Sequence, residues 1–243
     1  GMSGGATFES MLTNQFGSIA FTFLFIFICC LIIRGGIKDG IEKFNKIGMP
    51  ALFVMLVIVI ARAVTLPGAG EGLNFMFAPN WEPFTSLDGF LKVLSAAGGQ
   101  MFFSLSLAMG ITVTYGSYLS KKESLVKNSL IIIISDTIVA ILAGMAVLPA
   151  AFALGGANAE KAGPALLFIT LQDVFNAMGP TGPLFGVLFY LLVILAAITS
   201  AIALLEVLAT FMYDRIALKG HTPNLAKLVT IICLVVFAEA ALV

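Results

Sequence analysis

The chain has 243 residues, of which 60% are apolar and 11% are charged, and its 13 basic residues balance its 13 acidic ones. An ordinary soluble domain carries about 25% charged residues, so these few charges cannot cover a water-exposed surface. The balance also lacks the basic footprint of a nucleic-acid-binding protein, which excludes nucleic acid as a partner. The mean hydropathy of +1.07 instead predicts an all-α protein whose helices cross a lipid bilayer.

Six apolar stretches are long enough to span the hydrocarbon core, which takes about 20 helical residues at about 1.5 Å of rise each. They follow one another along the sequence, so we expect residues 1–243 to form a single polytopic transmembrane domain. The predicted spans cover residues 16–33, 49–66, 90–119, 125–154, 183–212 and 225–243.

In the connections between these spans, lysine and arginine lie almost entirely in the first, third and fifth, which the positive-inside rule assigns to the cytoplasm. The second connection, residues 67–89, has none and the fourth, residues 155–182, has only Lys161, so both are predicted to lie outside. An apolar run at residues 165–175 indicates a short helical hairpin over the outer face, or else an ordinary loop. The basic set comprises Arg34, Lys38, Lys43, Lys46, Lys121, Lys122, Arg215 and Lys219.

The third span is longer than a bilayer requires. It has about 30 residues, which would extend about 45 Å as one helix, whereas the hydrocarbon core is about 30 Å thick. At its centre, residues 98–110, glycines and serines flank a short apolar patch. One interpretation is a broken helix that exposes carbonyl and hydroxyl groups to an ion or a polar substrate. The other is a set of small residues that allows close helix packing.

Three residues of the fifth span share one helix face, because Ala196, Thr199 and Ser200 are spaced i, i+3 and i+4. Leu204 continues this face one turn later. Two hydroxyls and a backbone carbonyl are hard oxygen ligands that suit a small cation. The alternative, which is the commoner arrangement, is that both hydroxyls merely bond back to carbonyls of their own helix.

Charged residues within the spans are candidates for function, because a charge at membrane depth is costly. Asp136 follows the run Leu-Ile-Ile-Ile-Ile-Ser well inside the fourth span, which argues against the alternative of an interfacial position. Arg62 lies near the outer end of its span, where a long side chain can reach the interface. The sequence suggests no role for Glu206 or Glu239.

Five short strings follow one another along the chain: GIEKFNKIGMP at 40–50, GLNF at 72–75, GQMFFSLSL at 99–107, ITL at 169–171 and AAITS at 196–200. Together and in this order they resemble the neurotransmitter:sodium symporter family, in particular its bacterial amino-acid members with the LeuT-type fold. The resemblance covers nearly the whole chain and corresponds to family helices four to nine only. It therefore implies a partial LeuT-type inverted-repeat fold with six spans.

The resemblance implies that the centre of the third span binds substrate and ion. Phe103 matches the aromatic lid over the substrate, and Ser104 matches both a substrate contact and a ligand of the first sodium site. Ser106 and Met109 would line the substrate pocket as well. Because an aromatic residue is common in the family where Met109 stands, the side-chain pocket is expected to differ.

The resemblance also assigns the fourth and fifth spans. Ala196, Thr199 and Ser200 match the second sodium site, with Ser200 and Leu204 contributing to the substrate pocket. Asp136 falls at, or one residue from, a sodium-site asparagine. A carboxylate there supplies the negative charge that chloride provides in some relatives, so we expect transport to be independent of chloride, and Asp136 could carry a proton in counter-transport.

The function that the resemblance implies is sodium-coupled symport of an amino acid or related small zwitterion in a bacterial inner membrane. It requires sodium ions and no organic cofactor. An enzyme is not expected, since no catalytic motif lies in the spans. Nothing in this chain matches the family's first helix, so we expect the chain to need the missing transporter helices, from the same gene or another chain, and to be inactive alone. The alternative is a truncated, non-transporting remnant or interaction module.

Overall fold

The computed structural model describes residues 4–153, 163 and 166–242, and these residues form helices and turns, with no strand among them. Two short π-helices (Ile37–Glu42 and Leu166–Thr170) and two short 3-10 helices (Glu82–Thr85 and Gly179–Thr181) join the α-helices. The α-helices are α1 Gly4–Thr13, α2 Gln15–Arg34, α3 Lys43–Val64, α4 Ala69–Phe77, α5 Leu87–Ser104, α6 Ile111–Ser117, α7 Leu125–Phe152, α8 Leu171–Ala177, α9 Gly182–Ala217 and α10 Leu225–Leu242.

Five helical segments of the described chain are long and apolar enough to cross a membrane, where the sequence predicts six spans. The difference arises at the third span, because residues 90–119 form two helices, α5 and α6, with a break at residues 105–110. Glycines and serines weaken a helix there, so neither half meets the length and hydropathy of a full span. The remaining segments are Gln15–Arg34, Ile37–Val64, Leu125–Phe152, Gly179–Ala217 and Leu225–Leu242.

Some predicted features fall partly outside the described residues. These are the last residue of the fourth and of the sixth predicted spans, and Lys161 in the fourth connection. Of the apolar run at 165–175, residue 165 also lies outside, and the rest forms the π-helix Leu166–Thr170 followed directly by α8. This part of the connection is therefore helical, with Leu171, Val174 and Phe175 buried.

The long helix α9 joins two apolar cores at different depths. Its N-terminal half, through Phe189, packs with α3, α7 and α8 in a core that includes Leu56 and Leu171. Its C-terminal half, through Ile202, packs with α2 and α10 in a core that contains Val229. The three cysteines of the chain are buried in this second core: Cys29, Cys30 and Cys233.

The short helix α4 lies against the C-terminal third of α7, at the predicted outer side. Its approach is close enough to require glycine, because a Cβ atom on Gly72 would lie 2.6 Å from the carbonyl oxygen of Leu148. The rings of Phe75 and Phe152 extend the contact, with centroids 5.3 Å apart. By contrast, α5 has no buried residue, and its main contact among the described elements is the 3-10 helix Glu82–Thr85 that precedes it.

Candidate functional site

The helix break between α5 and α6 is a sharp local unwinding of the backbone. Ser106 and Ala108 have positive φ values, 54° and 62°, a left-handed conformation that non-glycine residues rarely adopt. Gly110, with φ of 79°, then starts α6, and a Cβ atom there would lie 3.2 Å from Cγ1 of Val207 on α9. A strained backbone of this kind persists only where the surrounding structure holds it, and such strain clusters at functional sites.

Among the described residues, the break leaves main-chain oxygens without hydrogen-bond partners inside the predicted third span. The last amides that donate to carbonyl oxygens of α5 are those of Ser106 and Leu107. They donate to the carbonyl oxygens of Phe103, at 3.1 Å, and Phe102, at 2.9 Å, respectively. None of the carbonyl oxygens of residues 104–109 accepts a hydrogen bond from another described residue. Irregular backbone at this depth is tolerated only where it is buried in protein or lines a polar cavity, so these oxygens are available to an ion or a polar ligand.

Ser104, the last residue of α5, is hydrogen bonded to Asp136 on α7. The Ser104 hydroxyl donates to both carboxylate oxygens of Asp136, at 2.7 Å each. Both side chains are partly buried, and the C-terminal end of α5 carries a partial negative charge. The pair therefore gathers a carboxylate, a hydroxyl and the free carbonyls of the break in one place, a donor set that suits a small hard cation.

Three oxygens also converge on α9. The Thr199 hydroxyl donates to the carbonyl oxygen of Ala196 at 2.8 Å, and the Ser200 hydroxyl donates to the same oxygen at 3.2 Å. This is the back-bonded geometry, and it places two hydroxyl oxygens within hydrogen-bond distance of the same carbonyl oxygen. Among the described residues no hydrogen bond joins this set to Ser104 or Asp136.

The predicted pocket residues lie on surfaces that the described helices leave uncovered. Phe103 is 71% exposed, Leu204 49% and Met109 37%. The face of α9 that carries Ser200 is opposite the face that Ile202 and Ala209 bury in the second core. The structure thus brings Ser104 to Asp136, and Thr199 and Ser200 to Ala196, but it does not assemble Phe103, Ser106, Met109 and Leu204 into an enclosed pocket.

A cavity of about 530 Å³ opens elsewhere, between α8 and α9. Its walls include Gln172, Phe175 and Tyr190, and none of the predicted site residues lines it. The described residues also contain no group of three histidine, cysteine, aspartate or glutamate side chains that could hold a metal ion. The candidate cation ligands of this chain are instead hydroxyl and carbonyl oxygens with a single carboxylate.

The structure gives Glu206 a partner set that the sequence analysis missed. Glu206 is 7% exposed and accepts the Tyr118 hydroxyl at 2.7 Å, while Tyr118 also lies 2.6 Å from the Thr210 hydroxyl. The contact joins the end of α6 to α9. The sequence did contain one indication of this contact. Glu206 and Thr210 are spaced i, i+4 and therefore lie on one helix face, and a buried carboxylate needs a hydrogen-bond donor.

A family model and two bacterial proteins match most of this chain. A family model described as the sodium:neurotransmitter symporter family matches residues 8–243. An uncharacterized sodium-dependent transporter of Haemophilus influenzae is 38% identical over 82% of this chain and 42% of its own length. YhdH, a sodium-dependent transporter of Bacillus subtilis, is 35% identical over 84% of this chain and 44% of its own length.

More distant similarity extends to animal proteins. The sodium- and chloride-dependent glycine transporter 2 of Xenopus laevis is 28% identical over 91% of this chain and 28% of its own length. The chain therefore spans less than half the length of the curated relatives it matches. With its five membrane-capable helices, it is an integral, multi-pass membrane protein, and it belongs to the sodium:neurotransmitter symporter family.

Proposed function

We propose that this chain is the central part of a symporter that couples sodium entry to uptake of an amino acid or related small zwitterion. The observation that carries the proposal is the helix break, where free carbonyls adjoin the Ser104–Asp136 pair. Broken helices that bind ions and substrate near the midplane are a feature of secondary transporters. The same family membership that supports symport favours a transporter over an enzyme.

Two sodium sites follow from the two oxygen sets. Ser104 and Asp136 contribute to the first, where the carboxylate balances the charge of the cation. The Ala196 carbonyl and the hydroxyls of Thr199 and Ser200 contribute to the second. A ligand shifts a conformational equilibrium towards the state that binds it more tightly. Sodium at these oxygens therefore favours the outward-facing state, and it helps to bind the amino acid. Inward rocking then releases both.

The substrate lies between the break and the uncovered face of α9. The proposed contacts are Phe103 as a lid, the backbone and hydroxyls at Ser104 and Ser106, and Met109, Ser200 and Leu204 around the side chain. No organic cofactor takes part. Small amino acids are supported as candidates by the names of the Xenopus laevis relatives, which are glycine transporters.

Asp136 makes the proposed transport independent of chloride. The bacterial relatives are named as sodium-dependent, whereas those of Xenopus laevis are named as sodium- and chloride-dependent. A fixed carboxylate beside the first sodium site supplies the negative charge that chloride would otherwise bring. After sodium leaves, the same group can take up a proton and carry it outward.

The chain alone is proposed to be inactive, because the uncovered faces of α5 and α9 hold only part of each site. Helices supplied by the rest of the polypeptide, or by a second chain, complete it. The bacterial relatives support an inner-membrane location.

Uptake by proteoliposomes tests the proposal. The longest native polypeptide that contains this chain is reconstituted into liposomes. Uptake of a radiolabelled amino-acid mixture is measured with an inward sodium gradient and, in parallel, with potassium in place of sodium. We expect uptake with sodium only, and none from residues 1–243 alone. Sodium-independent uptake would refute sodium coupling. Absence of uptake from both polypeptides would support a non-transporting remnant or interaction module instead.

The second sodium site is tested by replacing Thr199 and Ser200 together with alanine. Loss of two ligands is expected to raise the sodium concentration for half-maximal uptake at least about tenfold, which corresponds to about 1.4 kcal/mol. Thr230→Ala is the matched control, since Thr230 makes the same back-bond, to the carbonyl oxygen of Ala226 at 2.7 Å, on α10. Equal sodium dependence in both variants would refute the assignment.

A further inference from the structure

An exposed aromatic cluster lies in the connection between α3 and α5. We define the outer aromatic cluster as Trp81, Phe84 and Phe90. The ring centroids of Trp81 and Phe84 are 6.0 Å apart, and those of Phe84 and Phe90 are 6.3 Å apart, both at tilted angles. The three rings therefore form one continuous apolar surface that runs from the connection onto the first turn of α5.

Each of these rings keeps a large exposed area in the described chain. Trp81 is 69% exposed, Phe84 50% and Phe90 43%. Aromatic side chains normally bury most of their area, and a contiguous exposed patch of this kind marks a surface that meets another apolar phase.

The position of the cluster along the membrane normal follows from its neighbours. The connection begins where α3 ends at Val64 and leads into α5 at Leu87, so it lies at helix ends rather than at mid-span. Within it, α4 is fixed to the last turns of α7 by the contact of Gly72 with Leu148. The cluster thus sits at the level where the spans reach the predicted outer surface.

Polar groups surround the rings on the same segment. The carboxylate of Asp88 pairs with Lys92 at 2.7 Å, and both side chains are more than three-quarters exposed. Asn80 and Glu82, which flank Trp81, are exposed as well. Rings beside charged and amide groups match the boundary between acyl chains and headgroups, where tryptophan is enriched because its ring is apolar and its N–H is polar.

We propose that the outer aromatic cluster lies in the headgroup–acyl boundary of the outer leaflet and binds the lipid surface. This inference does not depend on transport. The lipid contact would also position α5, because the cluster is joined tightly to that helix. A Cβ atom on Gly89 would collide with the Pro83 carbonyl oxygen, and the Ser86 hydroxyl accepts the Gly89 amide at 3.1 Å to cap α5.

Trp81 is the single tryptophan in the sequence, so its fluorescence reports on the cluster alone. The full chain is reconstituted into nanodiscs made with phosphatidylcholine that is brominated at carbons near the headgroup or at carbons near the chain end. We expect emission shifted to the blue, with at least twofold stronger quenching by the shallow bromines than by the deep ones. Trp81→Phe should abolish the signal.

A depth reference makes the comparison quantitative. Leu24 lies near the middle of α2 and is 50% exposed, so Leu24→Trp in the Trp81→Phe background should be quenched more by the deep bromines. Absence of quenching of Trp81 by either lipid overturns the proposal. Red-shifted emission quenched by acrylamide would then assign the cluster to water, and blue-shifted emission that resists acrylamide would assign it to a protein contact. In a longer polypeptide with further tryptophans, subtracting the fluorescence of the Trp81→Phe variant from that of the wild type isolates the emission of Trp81.

Discussion

Asp136 and Ser104 form the one contact of the candidate site in which a carboxylate takes part. A hydrogen bond to a charged group contributes about 1.5–3 kcal/mol, roughly twice a neutral one. The pair therefore stabilises the junction of α5 with α7 as well as providing oxygens for a cation. Its two roles can be separated by a substitution that keeps the hydrogen bond and removes the charge.

Asp136→Asn is such a substitution, because an amide oxygen still accepts the Ser104 hydroxyl. We expect apparent sodium affinity in the uptake assay to fall about tenfold, equivalent to about 1.4 kcal/mol, and uptake to become stimulated by chloride. Glu239→Gln is the control, since Glu239 is an exposed carboxylate on α10. Unchanged sodium affinity and no response to chloride would show that the Asp136 charge plays no part in ion binding.

At the scale of helices, α9 is the element against which the others are placed. It packs against α2, α3, α8 and α10, and near its C-terminal end it meets α6 through the Tyr118–Glu206–Thr210 contact. The half of the broken helix after the break is thereby tied to α9. The half before the break, α5, is tied to α7 at one end by Ser104 and to the 3-10 helix at the other.

Tyr118→Phe removes the phenol that donates to the buried Glu206 carboxylate. Leaving a buried acceptor short of a donor costs about 1–3 kcal/mol, so we expect the unfolding temperature of the purified protein in detergent to fall by several degrees. Tyr213→Phe serves as the control, because Tyr213 is an exposed tyrosine on α9 whose hydroxyl bonds to none of the described residues. If both variants unfold at the same temperature, the contact between α6 and α9 does not contribute to stability.

Gly72→Ala tests the contact between α4 and α7. The added Cβ atom would lie within 2.8 Å of Leu148 and Pro149 backbone atoms, so α4 must shift, at a cost of about 1–3 kcal/mol. Gly70→Ala on the same helix is the matched control, since its Cβ atom meets nothing within 4 Å and alanine favours a helix. Thermal unfolding should separate the two variants. A Gly72→Ala protein as stable as Gly70→Ala would mean that α4 is not held there.

For the whole molecule, the apolar runs were sufficient to predict an all-helical membrane protein, because length and hydropathy determine which segments can cross a bilayer. The composition of residues 98–110 indicated that a helix could break there, but not that the break would centre on residues 105–110. Positive φ values at Ser106 and Ala108 depend on tertiary contacts, since neither residue type favours that conformation by itself.

In the candidate site, too, local features could be predicted from the sequence and long-range contacts could not. Sequence reasoning selected Ser104 and Asp136 separately, yet their pairing joins residues 32 positions apart and needs the fold. Glu206 received no role because its donor, Tyr118, lies 88 positions away. Local spacing did identify the Thr199 and Ser200 back-bonds, since both partners belong to one helix turn.

The distance between Ser104 and Asp136 has a mechanical consequence. Their oxygens lie 2.7 Å apart with only a hydroxyl hydrogen between them, so a cation that contacts both must take the place of that hydrogen. On one side of the pair, α7 packs against α3 and α4, whereas α5 has no buried residue along its length. When the hydrogen bond is exchanged for cation contacts, α5 is therefore the freer of the two helices to move.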